Sequence, residues 1–188
     1  MKFSSPIARF LKRLLDDRSK DKSQNKFQDK FNLHYLFAFL LFATLGYLGN
    51  YFRLPLFFGV DFLFGSIFVL IAIYFYGSAV GIAVSAIAST YTYFLWGQPY
   101  AALLLILEGV WVALGLSYQV KHKRSRNMFL LVLTYWLCLG APLCFISYSF
   151  FLKFGFSSVV LVVLKQVING LFNALIATLV IYYLPIGK

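Results

Sequence analysis

The chain has 188 residues, of which 61% are hydrophobic, 20% aromatic and only 12% charged. A soluble domain of this size has too little polar surface to cover that much apolar material, so the composition excludes a soluble globular protein and points to an integral membrane protein. Seventeen Lys/Arg against six Asp/Glu give a net charge of +11. Most of the positive charge lies outside the hydrophobic runs, where it reads as membrane topology and contact with anionic lipid rather than nucleic-acid binding.

Residues 1–30 differ from the rest. In Pro6 to Asp17, Ile7, Phe10, Leu11, Leu14 and Leu15 recur at helical spacing, with Arg9, Lys12 and Arg13 opposite. This pattern predicts a short basic amphipathic helix on the membrane surface, followed by a polar linker over 19–30. No small-residue cleavage site follows the first apolar run, so a signal peptide is not expected.

Residues 31–188 then predict six transmembrane helices in a compact bundle. The expected spans are Leu33 to Gly49, Phe57 to Tyr76, Gly77 to Trp96, Tyr100 to Tyr118, Met128 to Phe151 and Ser157 to Leu184. Gly140-Ala141-Pro142 predicts a kink in the fifth span, and Pro185 and Gly187 end the sixth. Gly77, Gly81, Ser85 and Ser89, spaced by four, offer a small-residue face for close helix packing. Cys138 and Cys144 fall on different faces of one helix and indicate neither a disulfide framework nor a metal site.

Lys and Arg counts orient the bundle. The N-terminal segment carries nine, the loop from Lys121 to Arg126 four and the C-terminus one; the opposite loops carry only Arg53 and Lys153. Six spans with both termini cytoplasmic satisfy this bias.

Asp61, Glu108 and Lys165 sit inside expected spans. At about 1.5 Å per residue, all three fall about 9–12 Å below the outer surface. Each isolated charge at that depth costs a few kcal/mol, so the three are expected to group, with Lys165 pairing Glu108 or Asp61. Lys165, Asn169 and Asn173 are spaced four apart and stack on one helical face. Gln166 joins them, and Tyr91, Tyr93, Trp96, Gln98 and Tyr100 lie at the same depth. Together these residues predict an outward-facing cup for a small ligand. The plainer alternatives are a charge pair that locks the bundle and aromatic residues that anchor the interface. No catalytic motif, cofactor fingerprint or metal-ligand cluster occurs, so an enzyme is not expected.

Four stretches carry a family resemblance: Leu54-Pro55-Leu56-Phe57-Phe58-Gly59-Val60-Asp61-Phe62-Leu63-Phe64-Gly65-Ser66-Ile67-Phe68, Ser89 through Ala101, Leu107-Glu108, and Lys165 through Ala174. They resemble the vitamin-uptake-like membrane sensor domains that precede PAS, GGDEF/EAL or histidine kinase modules in bacteria. That group is similar in layout to the substrate-binding subunits of energy-coupling-factor vitamin transporters. The chain departs from the group's pattern at Gln98, where a histidine is common. The resemblance implies a sensory input module in the bacterial inner membrane, part of a two-component or similar receptor and open to homodimerisation. Such a module binds a small molecule from outside and passes a helix rearrangement to a cytoplasmic signalling domain in cis. No output module occurs before Lys188, so an excised receptor module is the expectation. The alternative is a substrate-binding transporter subunit. In that family an Ala-x-x-x-Ala pair on the first helix docks the energising subunit; here Ala38 is followed four residues on by Phe42.

Overall fold

Among the described residues, five helices are long and apolar enough to cross a membrane: Leu33–Tyr51, Gly65–Trp96, Tyr100–Lys121, Met128–Phe151 and Phe156–Tyr183. The computed structural model describes residues 33–55 and 61–183. The amphipathic segment and linker expected over 1–30, the start of the second expected span and the stop at Pro185 lie outside the described residues. The chain divides into a unit Met1–Phe37, described only over residues 33–37, and a unit Ala38–Lys188 that holds everything discussed below. Five such helices on a chain of this composition make it a multi-pass membrane protein.

Helix α1 (Leu33–Tyr51) buries Ala43, Gly46 and Asn50 on one face, the spacing of adjacent helical turns. The chain then runs extended. Strand β1 (Leu54–Pro55) pairs antiparallel with β2 (Asp61–Phe62), setting Leu54 opposite Phe62 and Pro55 opposite Asp61. Extended backbone inside a membrane protein needs partners for its peptide groups, because lipid supplies none. Here side chains supply them. The Leu63 amide donates to Asn169 Oδ1 at 2.9 Å, and Asn173 Nδ2 donates to the Leu63 carbonyl at 2.8 Å. One residue on, the Gly65 amide donates to Asn50 Oδ1 at 2.8 Å, while Asn50 Nδ2 donates to the Ala88 carbonyl at 2.8 Å.

The expected second and third spans join without a loop. They form α2 (Gly65–Trp96), a 32-residue run whose one non-helical residue is Gly77, at φ 83° and ψ −176°. The chain folds back there. A Cβ placed on Gly81 would come within 2.9 Å of Ile73 Cα, yet positions eight apart in an unbroken helix are separated by about 12 Å. Among the described residues, the second expected span therefore contributes helix over residues 65–76, because Asp61–Phe62 are extended and the asparagines hold the Leu63 peptide groups.

Gly97, at φ 63°, ends α2, and its amide donates to the Tyr93 carbonyl at 2.9 Å. Helix α3 (Tyr100–Lys121) packs along the second half of α2. Ser85 Oγ donates to the Leu105 carbonyl at 3.1 Å and Ser78 Oγ to the Ala113 carbonyl at 3.1 Å. The small-residue face of the third expected span is thus spent inside the bundle. After the basic loop, α4 (Met128–Tyr135) opens on Asn127, whose Oδ1 accepts from the Leu130 amide at 2.9 Å. A π turn (Trp136–Gly140) leads to α5 (Ala141–Ile146), which carries Pro142, and a second π turn (Ser147–Phe151) closes the span. The kink expected at Gly140-Ala141-Pro142 takes the form of this widened turn, as befits a proline that has no amide to donate.

Helix α6 (Phe156–Tyr183) buries Lys165, Gln166, Asn169, Gly170, Asn173, Ala174 and Ala177 on one stripe. The core centres on Tyr135 and Trp136, both 0% exposed, packed with Val84, Val112, Val132 and Ala174.

Candidate functional site

A cleft of about 660 Å³ opens where α2 ends, the second π turn lies and α6 begins. Its volume is within the range of small-molecule pockets, roughly 300–1,000 Å³. It lies at the opposite end of α3 from the basic loop.

The aromatic side comes from the α2–α3 corner. Trp96 is the last residue of α2, and the left-handed Gly97 turns the chain so that Gln98 faces the cleft. Gln98 is fixed at both ends. Its Oε1 accepts from the Tyr100 amide at 2.7 Å and the Ala101 amide at 3.4 Å, and its Nε2 donates to Tyr148 Oη at 2.9 Å. The glutamine therefore caps α3 and positions Tyr148 together.

The apolar side comes from the second π turn and the loop after it. Tyr148, Leu152 and Phe154 line the cleft, with Tyr148 and Phe154 edge-to-face at 5.6 Å between centroids. The loop turns at Lys153, a non-glycine residue at φ 55°, and the Phe154 amide donates back to the Tyr148 carbonyl at 3.0 Å. From α6 come Ser158, Leu161, Val162, Lys165 and Gln166. The helical spacing of 158, 161, 162 and 165 puts them on one wall.

Asp61 enters at the edge of the cleft from β2. Its Oδ2 meets Arg53 Nη1 at 3.0 Å, across the two-strand ribbon. Lys165, 9% exposed, places its ammonium 4.8 Å from the centroid of the Trp96 ring. Gln166 is buried, and its Oε1 has no hydrogen-bond partner among the described residues.

Of the residues singled out from the sequence, Asp61, Trp96, Gln98, Lys165 and Gln166 line the cleft. Six are placed elsewhere. Glu108 is buried in the core, where its Oε2 accepts from Trp136 Nε1 at 3.1 Å and its Oε1 has no hydrogen-bond partner among the described residues. The expected pairing of Lys165 with Glu108 is therefore not made. Asn169 and Asn173 spend polar atoms on the Leu63 backbone. Tyr91 packs edge-to-face against Tyr47 and Tyr51 of α1, at 5.5 and 5.8 Å. Tyr93 is half exposed, beside Phe94. Tyr100 stacks on Phe151 at 5.4 Å.

Sequence reading missed Tyr148, Phe154 and Ser158. The expected spans end at Phe151 and resume at Ser157, and nothing in the spacing betrays a π turn over Ser147–Phe151 or the bond of Tyr148 to Gln98. An available signal was the polar Ser158, which sits seven residues before Lys165 and so on its helical face.

Chemically, the arrangement can bind and orient a small molecule. It juxtaposes one cation, one carboxylate already paired with arginine, two amides and a phenol on an apolar ground. Among the described residues, no group of three or more His, Cys, Asp or Glu is placed to hold a metal ion.

No protein-family model matches the chain, and no curated protein matches it. Among solved structures, it is similar to the S component of a bacterial ECF transporter. The likeness covers 80% of this chain and 93% of that one, with a TM-score of 0.57 and 15% sequence identity. At that identity the likeness is one of fold.

Proposed function

We propose that this chain is a membrane-embedded small-molecule-binding subunit of the transporter S-component type. The observation that carries the proposal is the cleft itself. It is a pocket-sized opening at one end of the bundle, lined by a buried lysine and by Gln166, whose buried Oε1 has no hydrogen-bond partner among the described residues. Burying such groups without a ligand costs stability, and a binding function accounts for their presence. The S-component fold supports the same reading.

The sensory-receptor reading, first in order from the sequence, gives way here. The comparisons lend no support to a receptor, to a two-component role or to a cytoplasmic signalling domain in cis, whereas the likeness found is to a transport subunit.

In the proposed arrangement the chain sits in a bacterial cytoplasmic membrane with lipid around it. Both termini and the basic loop from Lys121 to Arg126 face the cytoplasm, and the cleft opens outward. The polypeptide crosses six times, with the second crossing made from the β1–β2 ribbon and residues 65–76. The partner is an energising subunit docked from the cytoplasmic side.

Thermal unfolding of the full chain in detergent, screened against metabolites, tests the binding claim. A true ligand at a hundred times its Kd adds about 2.7 kcal/mol to stability and raises the midpoint. A screen that yields no stabiliser at saturating concentration counts against it. Uptake of a stabilising compound by cells that also carry an energising module tests transport. Binding without uptake would return the receptor reading to first place.

A further inference from the structure

Lys165 brings a buried positive charge to the cleft, and among the described residues no carboxylate forms an ion pair with it. The ion pair found there joins Asp61 to Arg53, at 3.0 Å. The ammonium of Lys165 lies over the face of Trp96, 4.8 Å from the ring centroid, and feels the Asp61 carboxylate only from beyond ion-pair distance. A ring face offsets part of the lost hydration of an ammonium but cannot neutralise it. Arg53, Asp61 and Lys165 therefore leave one net positive charge at the cleft.

The adjacent Gln166 Oε1 is buried and takes no hydrogen bond among the described residues. Leu152, Phe154, Leu161 and Val162 supply the apolar part of the lining. Of the other polar side chains there, Gln98 is bonded to Tyr148 and Asp61 to Arg53, so the demand left open falls on the α6 wall of Ser158, Lys165 and Gln166.

We infer that the cleft takes a small monoanionic carboxylate carried on a ring or other apolar body, with the carboxylate on the ammonium of Lys165. A hydroxyl or N–H beside the carboxylate meets Gln166 Oε1, and the apolar body lies against Phe154, Leu161 and Val162. Cationic ligands are rejected, because they would set a second positive charge beside Lys165 in a poorly hydrated site. This inference rests on the binding-subunit reading above and specifies its ligand class.

The test uses a panel of ring carboxylic acids of graded size, each matched with its primary amide and the corresponding primary amine. 4-Phenylbutanoate, 4-phenylbutanamide and 4-phenylbutylamine form one such triplet. Affinity for the purified full chain is measured by equilibrium dialysis. Acids that bind should do so about tenfold or more tightly than their amides, the worth of a charge-assisted hydrogen bond, with the amines weakest. Lys165→Met should erase the acid–amide gap, and Lys165→Arg should keep part of it. An amide or amine that binds as tightly as its acid overturns the anion assignment and leaves the binding reading standing. So does an acid–amide gap that survives in a folded Lys165→Met chain. If that variant fails to fold, the ranking within each wild-type triplet still decides. Failure of every triplet to bind overturns the anion assignment and counts against the binding reading as well.

Discussion

At the scale of single residues, the buried polar groups of α6 divide their labour. Lys165 and Gln166 face the cleft, whereas Asn169 and Asn173, one and two turns further on, hold both peptide groups of Leu63. An amide side chain suits this task because it offers a donor and an acceptor, as a neighbouring strand would. Replacing Asn169 by Leu strands a buried backbone N–H and should cost about 1–3 kcal/mol. Asn173→Leu should cost a similar amount through the Leu63 carbonyl. Ile168→Leu, on the exposed face of the same helix, should be silent in the same thermal-unfolding measurement. Equal effects at 168 and 169 would remove the clamp from the account. The division also explains what the sequence could and could not reveal about the site. Spacing by four correctly stacks Lys165, Asn169 and Asn173 on one buried face. Spacing alone does not say which atoms on that face another backbone has already claimed. That depends on Leu63, 106 positions from Asn169 and 110 from Asn173 in the chain.

At the scale of elements, hydropathy expects six spans where five membrane-length helices are found among the described residues, and the difference lies at one junction. A hydrophobic run from residue 57 to 96 reads as two spans in series, because apolar content does not distinguish extended from helical backbone. Asp61–Phe62 are extended, asparagine clamps hold the Leu63 peptide groups that follow, and the helix from Gly65 to the Gly77 reversal is short. The reversal at Gly77 leaves no polar loop to mark it, only a glycine. Its φ of 83° is a conformation that L side chains rarely adopt, although a Cβ there would meet nothing within 4 Å. Gly155 also has open space around it, without the positive φ. The two glycines therefore separate backbone strain from steric clash. Gly77→Ala should lower stability by about 1–2 kcal/mol, the cost of forcing a side chain into that region. Gly155→Ala should leave stability unchanged or raise it slightly, since alanine limits the unfolded chain. Matching thermal-unfolding losses for the two would show that the turn at Gly77 is not a tight reversal.

At the scale of the whole molecule, the two ends of the bundle differ in kind. One end carries the basic loop, where Arg126 lies over the Tyr74 ring at 5.1 Å, three residues before the Gly77 reversal. The other carries the cleft and the Arg53–Asp61 pair. Lysine and arginine resist translocation, so the dense cluster should stay cytoplasmic and the cleft should face out. Ser125 and Ser158 report the two ends, and both are exposed. In a background with Cys138 and Cys144 replaced by alanine, Ser158→Cys should react with a membrane-impermeant maleimide in intact cells. Ser125→Cys should react only after permeabilisation. The reverse pattern would turn the molecule over and place the cleft on the cytoplasmic side, where an uptake subunit could not collect its cargo. Because Ser158 lines the cleft, a bound ligand should also slow its labelling while leaving Ser125→Cys in permeabilised cells unaffected. A ligand that slows both positions equally would be acting on the membrane or the reagent rather than in the cleft. The one labelling experiment thus reads both the orientation that follows from charge and the occupancy that follows from the Lys165 wall.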